Sequence, residues 1–241
     1  MTDSGTWKTI VQGVEFRRIF LERAEPYQAI QLKLVRFDSR WIEPRVVHCG
    51  EYHLKNASVK TLAEKSGALA MINANYFDER GIALGFVKAG GEVKAAISKS
   101  SLFTAIFAIK DRLPFIVHRD EFDPRQADEA LQAGPLLLAK GAPLTVTRGA
   151  DKQFRRSVVG IDASRRFVIA ATDNLFGGLT WTELQELFGS ADWRIETSDL
   201  MNLDGGGSTQ LEVSAAHFEE HVPGTAEVPV AIGFFLKNKR P

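Results

Sequence analysis

The sequence has only one cysteine among its 241 residues, so it cannot form an intrachain disulfide. Cys49 follows two valines and a histidine, and this setting predicts a small buried side chain rather than a nucleophile. No apolar run approaches the roughly 18–20 residues that a membrane-spanning helix needs. Lysine and arginine total 30, as do aspartate and glutamate, and this zero net charge gives no indication of binding to nucleic acid or to an anionic membrane.

Several motifs that identify large classes of enzyme site are also missing. The chain has no phosphate-binding P-loop, no dinucleotide-binding G-x-G-x-x-G, no nucleophile elbow G-x-S-x-G and no C-x-x-C pair. Three consecutive glycines do occur at positions 205–207, but no lysine follows them as it would in a P-loop. None of these four kinds of site is therefore predicted.

Short apolar runs bounded by polar turns are the main secondary-structure signal, and they predict strands. The runs are residues 30–35, 103–109, 115–117, 167–172 and 228–236. The polar segment at residues 111–114 joins the second and third runs into a predicted hairpin. Pro229 predicts that the last strand starts beside it, because proline lacks the N–H that a central strand position needs.

Two helices are predicted from their capping residues. Ser58 can cap a helix that ends before Gly67. Thr180 and Glu183 form a capping box for a second helix, and Gly189 is its predicted C-terminal stop. Because helices are few and do not alternate strictly with strands, we expect an α+β fold. It would be a single domain, residues 1–241, with a mixed β-sheet core and a few packed helices.

The most informative segment is residues 201–211, where an apolar run ends in Asn202, Leu203 and Asp204 before the three glycines. Successive amides in a glycine-rich turn can form a concave anion site. A two-residue hairpin needs at most one or two glycines, so three in a row exceed what a turn requires. A carboxylate beside such a site could act on a polar, anionic substrate. A simple turn between two strands is the alternative interpretation.

Other apolar runs also end in polar residues. These residues are Asn73, Asn75 and Asp78 after one run, Asp173 after another, and Arg156 before a third. Residues held at strand ends by a rigid sheet often build functional sites. We therefore expect these side chains to converge with that of Asp204 in one pocket.

Taken in chain order, these segments resemble the motifs of the phosphodiester glycosidase family. The resemblance rests on residues 71–78, Gly134-Pro135-Leu136-Leu137, Arg156-Ser157 with Gly160, Asp173, and Asn202-Leu203-Asp204 with the three glycines and Ser208. It covers roughly residues 68–213. Two positions depart from the family pattern: Asn73-Ala74-Asn75 lacks both glycines of the first element, and Asn174 replaces the glycine after Asp173.

The resemblance implies a hydrolase that cleaves the sugar–phosphate bond of a sugar-1-phosphodiester. In this interpretation the catalytic residues are Asp204, Asp173 and Asn73. The substrate would be bound by Arg156, Asn75, Asp78, Asn202, Gly205, Gly206, Gly207, Ser208 and Thr209. Arg156 is preferred to Arg155 because it directly precedes the hydroxyl residue, as in the family pattern. Its planar guanidinium could pair two phosphate oxygens.

This interpretation requires no cofactor, and a Ca²⁺ or Mg²⁺ ion beside Asp204 is left open. The expected partner is a small molecule or glycan that carries a phosphodiester, with no nucleic acid and no membrane span. The oligomeric state is left open as well. The N-terminus lacks the charged and apolar regions of a signal peptide. This leaves either a cytoplasmic protein or one whose signal has been removed. Because members of the resembled family are commonly exported, we expect the second, a periplasmic or secreted protein whose signal is absent from this chain.

Two other functions fit parts of the sequence. The first is a non-catalytic carbohydrate- or cell-wall-binding module with the same pocket, since the first motif has lost its glycines. The second is a zinc peptidase, because His217, Glu220 and His221 match the H-x-x-E-H pattern. That pattern needs a helix to bring both histidines to one metal ion, and Pro223 and Gly224 leave little room for one.

Overall fold

The computed structural model describes residues 5–24, 27–146, 149–162, 164–174 and 176–237. Within these ranges 48% of the residues lie in strands and 15% in helices, and three sheets are accompanied by two α-helices. The expected α+β fold is therefore wrong, and the protein has a β-rich fold. Every strand pair in the described part of the chain is antiparallel, so the expected mixed sheet is also wrong. Parallel pairs need long crossover connections, usually helical, whereas short turns are enough for antiparallel neighbours.

The strands are numbered in chain order. They are β1 (Lys8–Val11), β2 (Val14–Ala24), β3 (Tyr27–Phe37), β4 (Ile42–His48), β5 (Ala70–Asn73), β6 (Val87–Ala89), β7 (Glu92–Ala95), β8 (Ala105–Lys110), β9 (Leu113–His118), β10 (Glu129–Ala133), β11 (Leu136–Ala139), β12 (Ala142–Pro143), β13 (Ser157–Asp162), β14 (Phe167–Asp173), β15 (Thr197–Asn202), β16 (Leu211–Ala215), β17 (Phe218–Val222) and β18 (Val230–Leu236). The large sheet has the order β1-β2-β3-β14-β13-β15-β11-β12. The two smaller sheets have the orders β7-β6-β10-β8-β9 and β17-β16-β5-β18-β4.

Both α-helices begin where their capping residues predict. Helix α1 (Val59–Ser66) has Ser58 as its N-cap and Gly67 at its C-terminus, where φ is 75°. Helix α2 (Trp181–Gly189) has the predicted capping box. Its end differs from the prediction, because Gly189 is the last helical residue and the next residue caps the helix in an extended conformation. Neither helix among the described residues is long and apolar enough to cross a membrane.

The predicted hairpin and the buried cysteine are confirmed. Strands β8 and β9 pair, and Asp111 and Arg112 turn the chain between them with φ values of 51° and 65°. Two consecutive residues with positive φ match the twist of a two-residue hairpin. Strand β18 starts directly after Pro229. Cys49 is buried, and this burial raises the pKa of its thiol to about 11.

The two faces of the large sheet bury different cores, because successive side chains of a strand point to opposite faces. Val159 and Ile161 of β13 belong to a core shared with both smaller sheets. Val158 of the same strand belongs to a second core, which includes Leu184 and Phe188 of α2. Along each strand of this sheet, alternate residues therefore face the smaller sheets and α2.

The strand ends that carry the predicted site residues meet at one edge of the large sheet. Strand β13 lies between β14 and β15, with Ser157 opposite Ala171 and Val158 opposite Asn202. The start of β13 therefore lies beside the ends of both neighbours. Strand β5 reaches the same edge from another sheet, since the hydroxyl of Ser157 donates to Asn73 Oδ1 at 2.6 Å.

Candidate functional site

Asp204 follows β15 and is fixed by contacts of both its backbone and its side chain. Its N–H donates to the carbonyl of Ala74 at 2.9 Å, and its carbonyl accepts from Asn73 Nδ2 at 2.7 Å. Its carboxylate accepts the N–H of Gly205 at 2.9 Å and is hydrogen-bonded to Ser208. Burial outweighs these hydrogen bonds and raises the pKa of Asp204 from 3.8 to about 6. A carboxylate with this pKa is suited to act as a general base near neutral pH.

Asn73 is completely buried and supports Asp204. Besides the bond from its amide nitrogen, its Oδ1 accepts the hydroxyl of Ser157 and, at 3.0 Å, the N–H of Gln210. The side chain therefore joins three segments of the chain. These contacts favour a role in positioning Asp204 over direct participation in catalysis.

The glycine turn packs closely against the start of β13. A Cβ atom at Gly205 would lie 2.7 Å from the carbonyl oxygen of Arg155, and Gly206 has a φ of 61°. Both positions therefore favour glycine. The N–H of Gly206 donates to the carbonyl of Arg155 at 2.9 Å, and that of Gly205 donates to Asp204. Two of the three glycine amides predicted to bind an anion therefore already have acceptors within the protein.

The rest of this motif closes the turn. The carbonyl of Gly207 accepts from the N–H groups of Thr225 and Ala226 at 2.8 and 3.1 Å, which ties the turn to the loop after β17. The hydroxyl of Ser208 contacts the Asp204 carboxylate, as described above. The hydroxyl of Thr209 is buried and has no hydrogen-bond partner in the described part of the chain. Of the two hydroxyl residues, Ser208 is thus the one linked to the carboxylate.

Asn202 and Tyr76 form a polar pair next to Asp204. Nδ2 of Asn202 donates to Tyr76 Oη at 3.1 Å and to the carbonyl of Gly134 at 2.9 Å. The tyrosine hydroxyl donates to the same carbonyl at 3.0 Å. Burial and then the negative charge of Asp204 raise the pKa of Tyr76, while the positive charge of Arg156 acts in the opposite direction. Tyr76 is therefore close to both charged groups.

Two amide oxygens in this region lack a partner. Oδ1 of Asn202 and Oδ1 of Asn75 are buried and accept no hydrogen bond from the described residues. The amide nitrogen of Asn75 donates to the carbonyl of Tyr76 at 3.0 Å, which fixes the side chain. Buried polar atoms are normally satisfied. These two acceptors are therefore exceptions, buried next to Asp204 without a partner among the described residues.

Arg156 is buried, with 4% of its surface exposed, and is held by contacts on every side. Nε donates to the carbonyl of Leu179 at 2.8 Å and Nη2 to the carbonyl of Lys152 at 2.6 Å. The guanidinium lies 5.3 Å from the ring centre of Phe154 and 5.0 Å from that of Trp181. No carboxylate among the described residues forms an ion pair with it.

The electrostatic position of Arg156 favours an anionic ligand. Burial lowers the pKa of its guanidinium to about 10, so the group stays charged at neutral pH. A buried charge is costly unless a counter-ion compensates it. The backbone carbonyls of Leu179 and Lys152 satisfy part of its hydrogen-bonding capacity but supply no negative charge. A bound phosphate would supply that charge.

Arg156 also lines a cavity of about 530 Å³, a volume typical of ligand pockets. Phe154 and Trp181 line the same cavity, and the rest of its described wall is divided about equally between apolar and polar residues. Arg156 is the only predicted site residue that the described part of the wall contains. Pro135 connects the wall to the Asp204 region, since its carbonyl accepts the N–H of Asn202 at 3.0 Å.

Asp173 does not join Arg156 and Asp204. Its carboxylate pairs with Lys33 at 2.7 Å, and Lys33 also pairs with Glu220 of β17 at 3.1 Å. This ion-pair cluster lies on the face of the large sheet that packs against the smaller sheets. Arg156 lies on the opposite face, next to α2. Asp173 therefore lies across the sheet from Arg156, and the convergence of Asp204 and Arg156 in one pocket stays a prediction.

Asp78 has a local role in its own turn. Its Oδ1 accepts the N–H groups of Ile82 and Arg80 at 2.8 and 2.9 Å. The bond from Ile82 is the main reason that the pKa of Asp78 is lowered. These contacts fit the turn-forming function that aspartate often has, and Asp78 is not among the residues that line the cavity.

The H-x-x-E-H segment does not form the helix that a zinc site would need. Residues Phe218–Val222 form strand β17, so Glu220 and His221 point to opposite faces. His221 Nδ1 instead lies 2.8 Å from the carboxylate of Glu212. No group of three His, Cys, Asp or Glu side chains in the described ranges is placed to hold a metal ion. The contacts therefore do not support the zinc-peptidase alternative. A Ca²⁺ or Mg²⁺ ion beside the candidate catalytic carboxylate stays a prediction.

Sequence reasoning missed the aromatic residues of the site. Tyr76 lies within the first family-like motif, so its position offered a signal. Trp181 was interpretable only as the first residue of α2, and Phe154 belongs to no motif. The contact of Trp181 with Arg156 joins segments that are distant in the sequence, whereas Phe154 lies only two residues from Arg156.

Comparisons with known proteins place this geometry in a family. The family model described as phosphodiester glycosidase matches residues 66–236. No curated protein matches the chain. The catalytic domain of zebrafish N-acetylglucosamine-1-phosphodiester alpha-N-acetylglucosaminidase, solved in a form auto-inhibited by its pro-peptide, is similar with a TM-score of 0.71 and 16% identity. That match covers 97% of this chain and 88% of the zebrafish chain.

Two further solved structures share the fold. A hypothetical protein from Synechocystis is similar with a TM-score of 0.75 and 14% identity over 98% of this chain, which spans 64% of that protein's length. A Burkholderia pseudomallei protein described as exported is similar with a TM-score of 0.54 and 11% identity, over 86% of this chain and 74% of that one. At these identities the structures establish the fold alone. The family model covers most of the chain, and on that basis the chain belongs to the phosphodiester glycosidase family.

Proposed function

We propose that this protein hydrolyses the bond between the anomeric carbon of a sugar and the phosphate of a sugar-1-phosphodiester. Membership of the family supports a glycosidase-type hydrolase. The observation that carries the more specific proposal is Tyr76, which lies close both to the buried guanidinium of Arg156 and to the carboxylate of raised pKa of Asp204. The guanidinium is suited to binding the phosphate, and the carboxylate is suited to activating a water molecule that attacks the anomeric carbon.

In this reaction the bond between the anomeric carbon and the phosphate oxygen breaks, and its electron pair stays on the phosphate. A water molecule adds to the anomeric carbon and gives a proton to the Asp204 carboxylate. The products are the free sugar and a phosphomonoester. Glycosidases usually use two carboxylates, one of them to protonate the leaving group. A phosphate is already a good leaving group, so anion stabilisation by Arg156 can replace much of that protonation.

Neighbouring residues supply the remaining contacts in this proposal. The unpaired oxygens of Asn75 and Asn202 would accept hydrogen bonds from sugar hydroxyls. Asn73 and Ser208 would position Asp204. The leaving phosphate gains a second negative charge as the bond breaks, so Arg156 would hold the transition state more strongly than the substrate.

The test is hydrolysis of a chromogenic sugar-1-phosphodiester by the wild-type protein and by Asp204→Asn. Loss of a general base typically lowers the rate about 10²–10⁴-fold. Asp78→Asn is the matched control, because Asp78 is an aspartate of the same region whose carboxylate closes a separate turn. Full activity of Asp204→Asn would end the proposal.

The same assay separates an enzyme from a binding module. A protein that binds the phosphodiester but does not hydrolyse it would be the non-catalytic carbohydrate-binding module considered above. An extracytoplasmic location and a single domain over residues 1–241 stay predictions, since no contact in the structure tests them.

A further inference from the structure

Arg155 directly precedes the arginine of the cavity wall, but its side chain contacts a different part of the molecule. Its Nη2 donates to the carbonyl of Pro223 at 2.7 Å and to the carbonyl of Thr209 at 3.2 Å. Thr209 directly follows the glycine turn, and Pro223 directly follows strand β17. One nitrogen of this guanidinium therefore joins the end of the glycine turn to the start of the next loop.

The backbone of Arg155 contacts the other end of the same turn. Its carbonyl oxygen accepts the N–H of Gly206 at 2.9 Å, and a Cβ atom at Gly205 would lie 2.7 Å from that oxygen. Arg155 thus contacts the turn near its first residue through the backbone and just after its last residue through the side chain. No space is left there for the turn to shift toward β13.

The loop after β17 is bonded to the turn at further points. The carbonyl of Gly207 accepts the N–H groups of Thr225 and Ala226 at 2.8 and 3.1 Å. Nε2 of Gln210 donates to the carbonyl of Ala226 at 2.8 Å, and a Cβ atom at Gly224 would lie 2.4 Å from Gln210 Cγ. The loop therefore packs closely on the turn, and the guanidinium of Arg155 holds the two together where the loop begins.

The position of the Asp204 carboxylate depends on this turn. The two hydrogen bonds that the carboxylate accepts come from the N–H of Gly205 and from Ser208, at opposite ends of the turn. A change in the shape of the turn would separate these two donors. The contacts of Arg155 therefore act on the carboxylate through the turn, without touching it.

The charge of Arg155 strengthens its contacts. The side chain is half-buried; burial lowers the pKa of its guanidinium, and the negative charge of Asp173 acts in the opposite direction. Hydrogen bonds from a charged donor are roughly twice as strong as those between neutral groups. Arg155 is not among the residues that line the cavity, so its charge is not directed at a ligand bound there.

We propose that Arg155 is a positioning residue, which fixes the Asp204 carboxylate by fastening the glycine turn to the loop after β17. The inference rests on the proposed function only in that the carboxylate then acts on a substrate. The two neighbouring arginines have separate tasks in this scheme: Arg156 binds the phosphate, and Arg155 holds the turn beside the general base. Loss of the Arg155 side chain should therefore impair the chemical step and spare phosphate binding.

Hydrogen exchange measures the hold on the turn without requiring turnover. Arg155→Met removes the donors and keeps most of the length of the side chain. Amide exchange at Thr225 and Ala226 should then become about tenfold faster or more, because hydrogen bonds from charged groups stabilise a local contact by at least that factor. Arg155→Lys keeps a charged donor and should restore part of the protection. The measurement is made well below the melting temperature of every variant.

Arg36 provides a matched control in another part of the large sheet. Its guanidinium pairs with Glu15 at 2.7 Å and lies 4.1 Å from the ring centre of Trp7. Arg36→Met should lower Tm and leave amide exchange in the loop after β17 as it is in the wild type. The comparison separates a local hold on the turn from a general loss of stability.

NMR titration of the Asp204 carboxyl carbon reports on the carboxylate itself. Burial is the main cause of its raised pKa, so a looser turn that admits water should move the midpoint in Arg155→Met from about 6 toward 3.8. The midpoint in Arg36→Met should stay at about 6. If a sugar-1-phosphodiester is hydrolysed, Arg155→Met should also lower kcat about tenfold to a hundredfold. Inhibition by inorganic phosphate should be unchanged, because Arg156 is still present.

The outcomes separate this inference from the proposed function. Unchanged amide exchange in Arg155→Met, or an Asp204 midpoint equal to that of the wild type, would overturn the positioning role even when hydrolysis occurs. Loss of phosphate inhibition in Arg155→Met would also overturn it, since Arg155 would then belong to the anion site. If exchange and midpoint both change but the wild-type protein hydrolyses no sugar-1-phosphodiester, Arg155 still positions Asp204 and the proposed function fails.

Discussion

Replacing Asp204 by asparagine removes a charge that burial disfavours and nearly preserves the shape of the side chain. In the wild-type protein burial raises the pKa of this carboxyl from 3.8 to about 6. The folded state therefore binds the proton more tightly than the unfolded state does. The carboxyl contributes stability that is fully present below pH 3.8 and is lost as the pH rises through about 6. Asparagine does not titrate, so the variant should not lose this stability.

The size of the effect follows from the pKa shift. About two pKa units, at about 1.4 kcal/mol each, correspond to at most about 3 kcal/mol of unfolding free energy at pH 8. Asp204 is partly exposed, so solvent screening reduces the expected gain to about 1–2 kcal/mol. For a chain of this length 1 kcal/mol changes Tm by about 2–4 °C, so the variant should melt about 2–8 °C above the wild type at pH 8. At pH 4.5 the difference should shrink to about a third of that value.

Thermal unfolding followed by circular dichroism at pH 8 and pH 4.5 measures this difference. Asp78→Asn is a control for which the change in Tm should have the opposite sign. The hydrogen bond from Ile82 lowers the pKa of Asp78, so the ionised carboxylate stabilises the turn. That variant should melt below the wild type at pH 8. The reasoning would be refuted if Asp204→Asn melted no higher than the wild type at pH 8. An equal gain at both pH values would show that the stabilisation does not come from the charge.

Three further predictions concern activity on a sugar-1-phosphodiester. Because Asp204 must be ionised to accept a proton, log kcat/KM plotted against pH should fall with a slope of about one below pH 6; a profile flat between pH 5 and 8 would contradict this. Arg156→Ala should lower kcat/KM about 10²–10³-fold and abolish inhibition by inorganic phosphate, while Arg156→Lys retains part of both because it keeps the charge but not the planar fork. Asp173→Asn should keep most of the activity and lower Tm, because Asp173 pairs with Lys33 on the other face of the sheet; a loss of activity as large as that of Asp204→Asn would instead make Asp173 catalytic.

Features set by neighbouring residues could be predicted from the sequence. The N-cap at Ser58 and the capping box at Thr180 depend on contacts within four residues, and both helices start where these residues predict. The same holds for the hairpin at Asp111 and Arg112. The motif order also identified the family, which the family model confirms over residues 66–236.

The fold class could not be predicted in this way, because strand pairing joins distant segments. Strand β14 pairs with β3, and β5 pairs with β16 and β18. Apolar runs of the observed length fit parallel and antiparallel sheets alike. Two helices predicted from the sequence favour an α+β arrangement, whereas the described chain is 48% strand and 15% helix. The direction and order of the strands had to come from the structure.

The alternation of side chains decides which residues at the sheet edge can form the site. Arg155 and Arg156 are neighbours in sequence, yet their side chains leave opposite faces of the large sheet. Arg155 donates to the carbonyl of Pro223 at 2.7 Å beside the smaller sheets, while Arg156 lies against Trp181 of α2. Asp173 shares the face of Arg155. The sequence placed all the charged residues at one edge, but a shift of one residue in register would exchange the two arginines. One face of the large sheet therefore carries the buried guanidinium of Arg156 and the cavity, whereas the other carries Arg155 and the ion pair of Asp173.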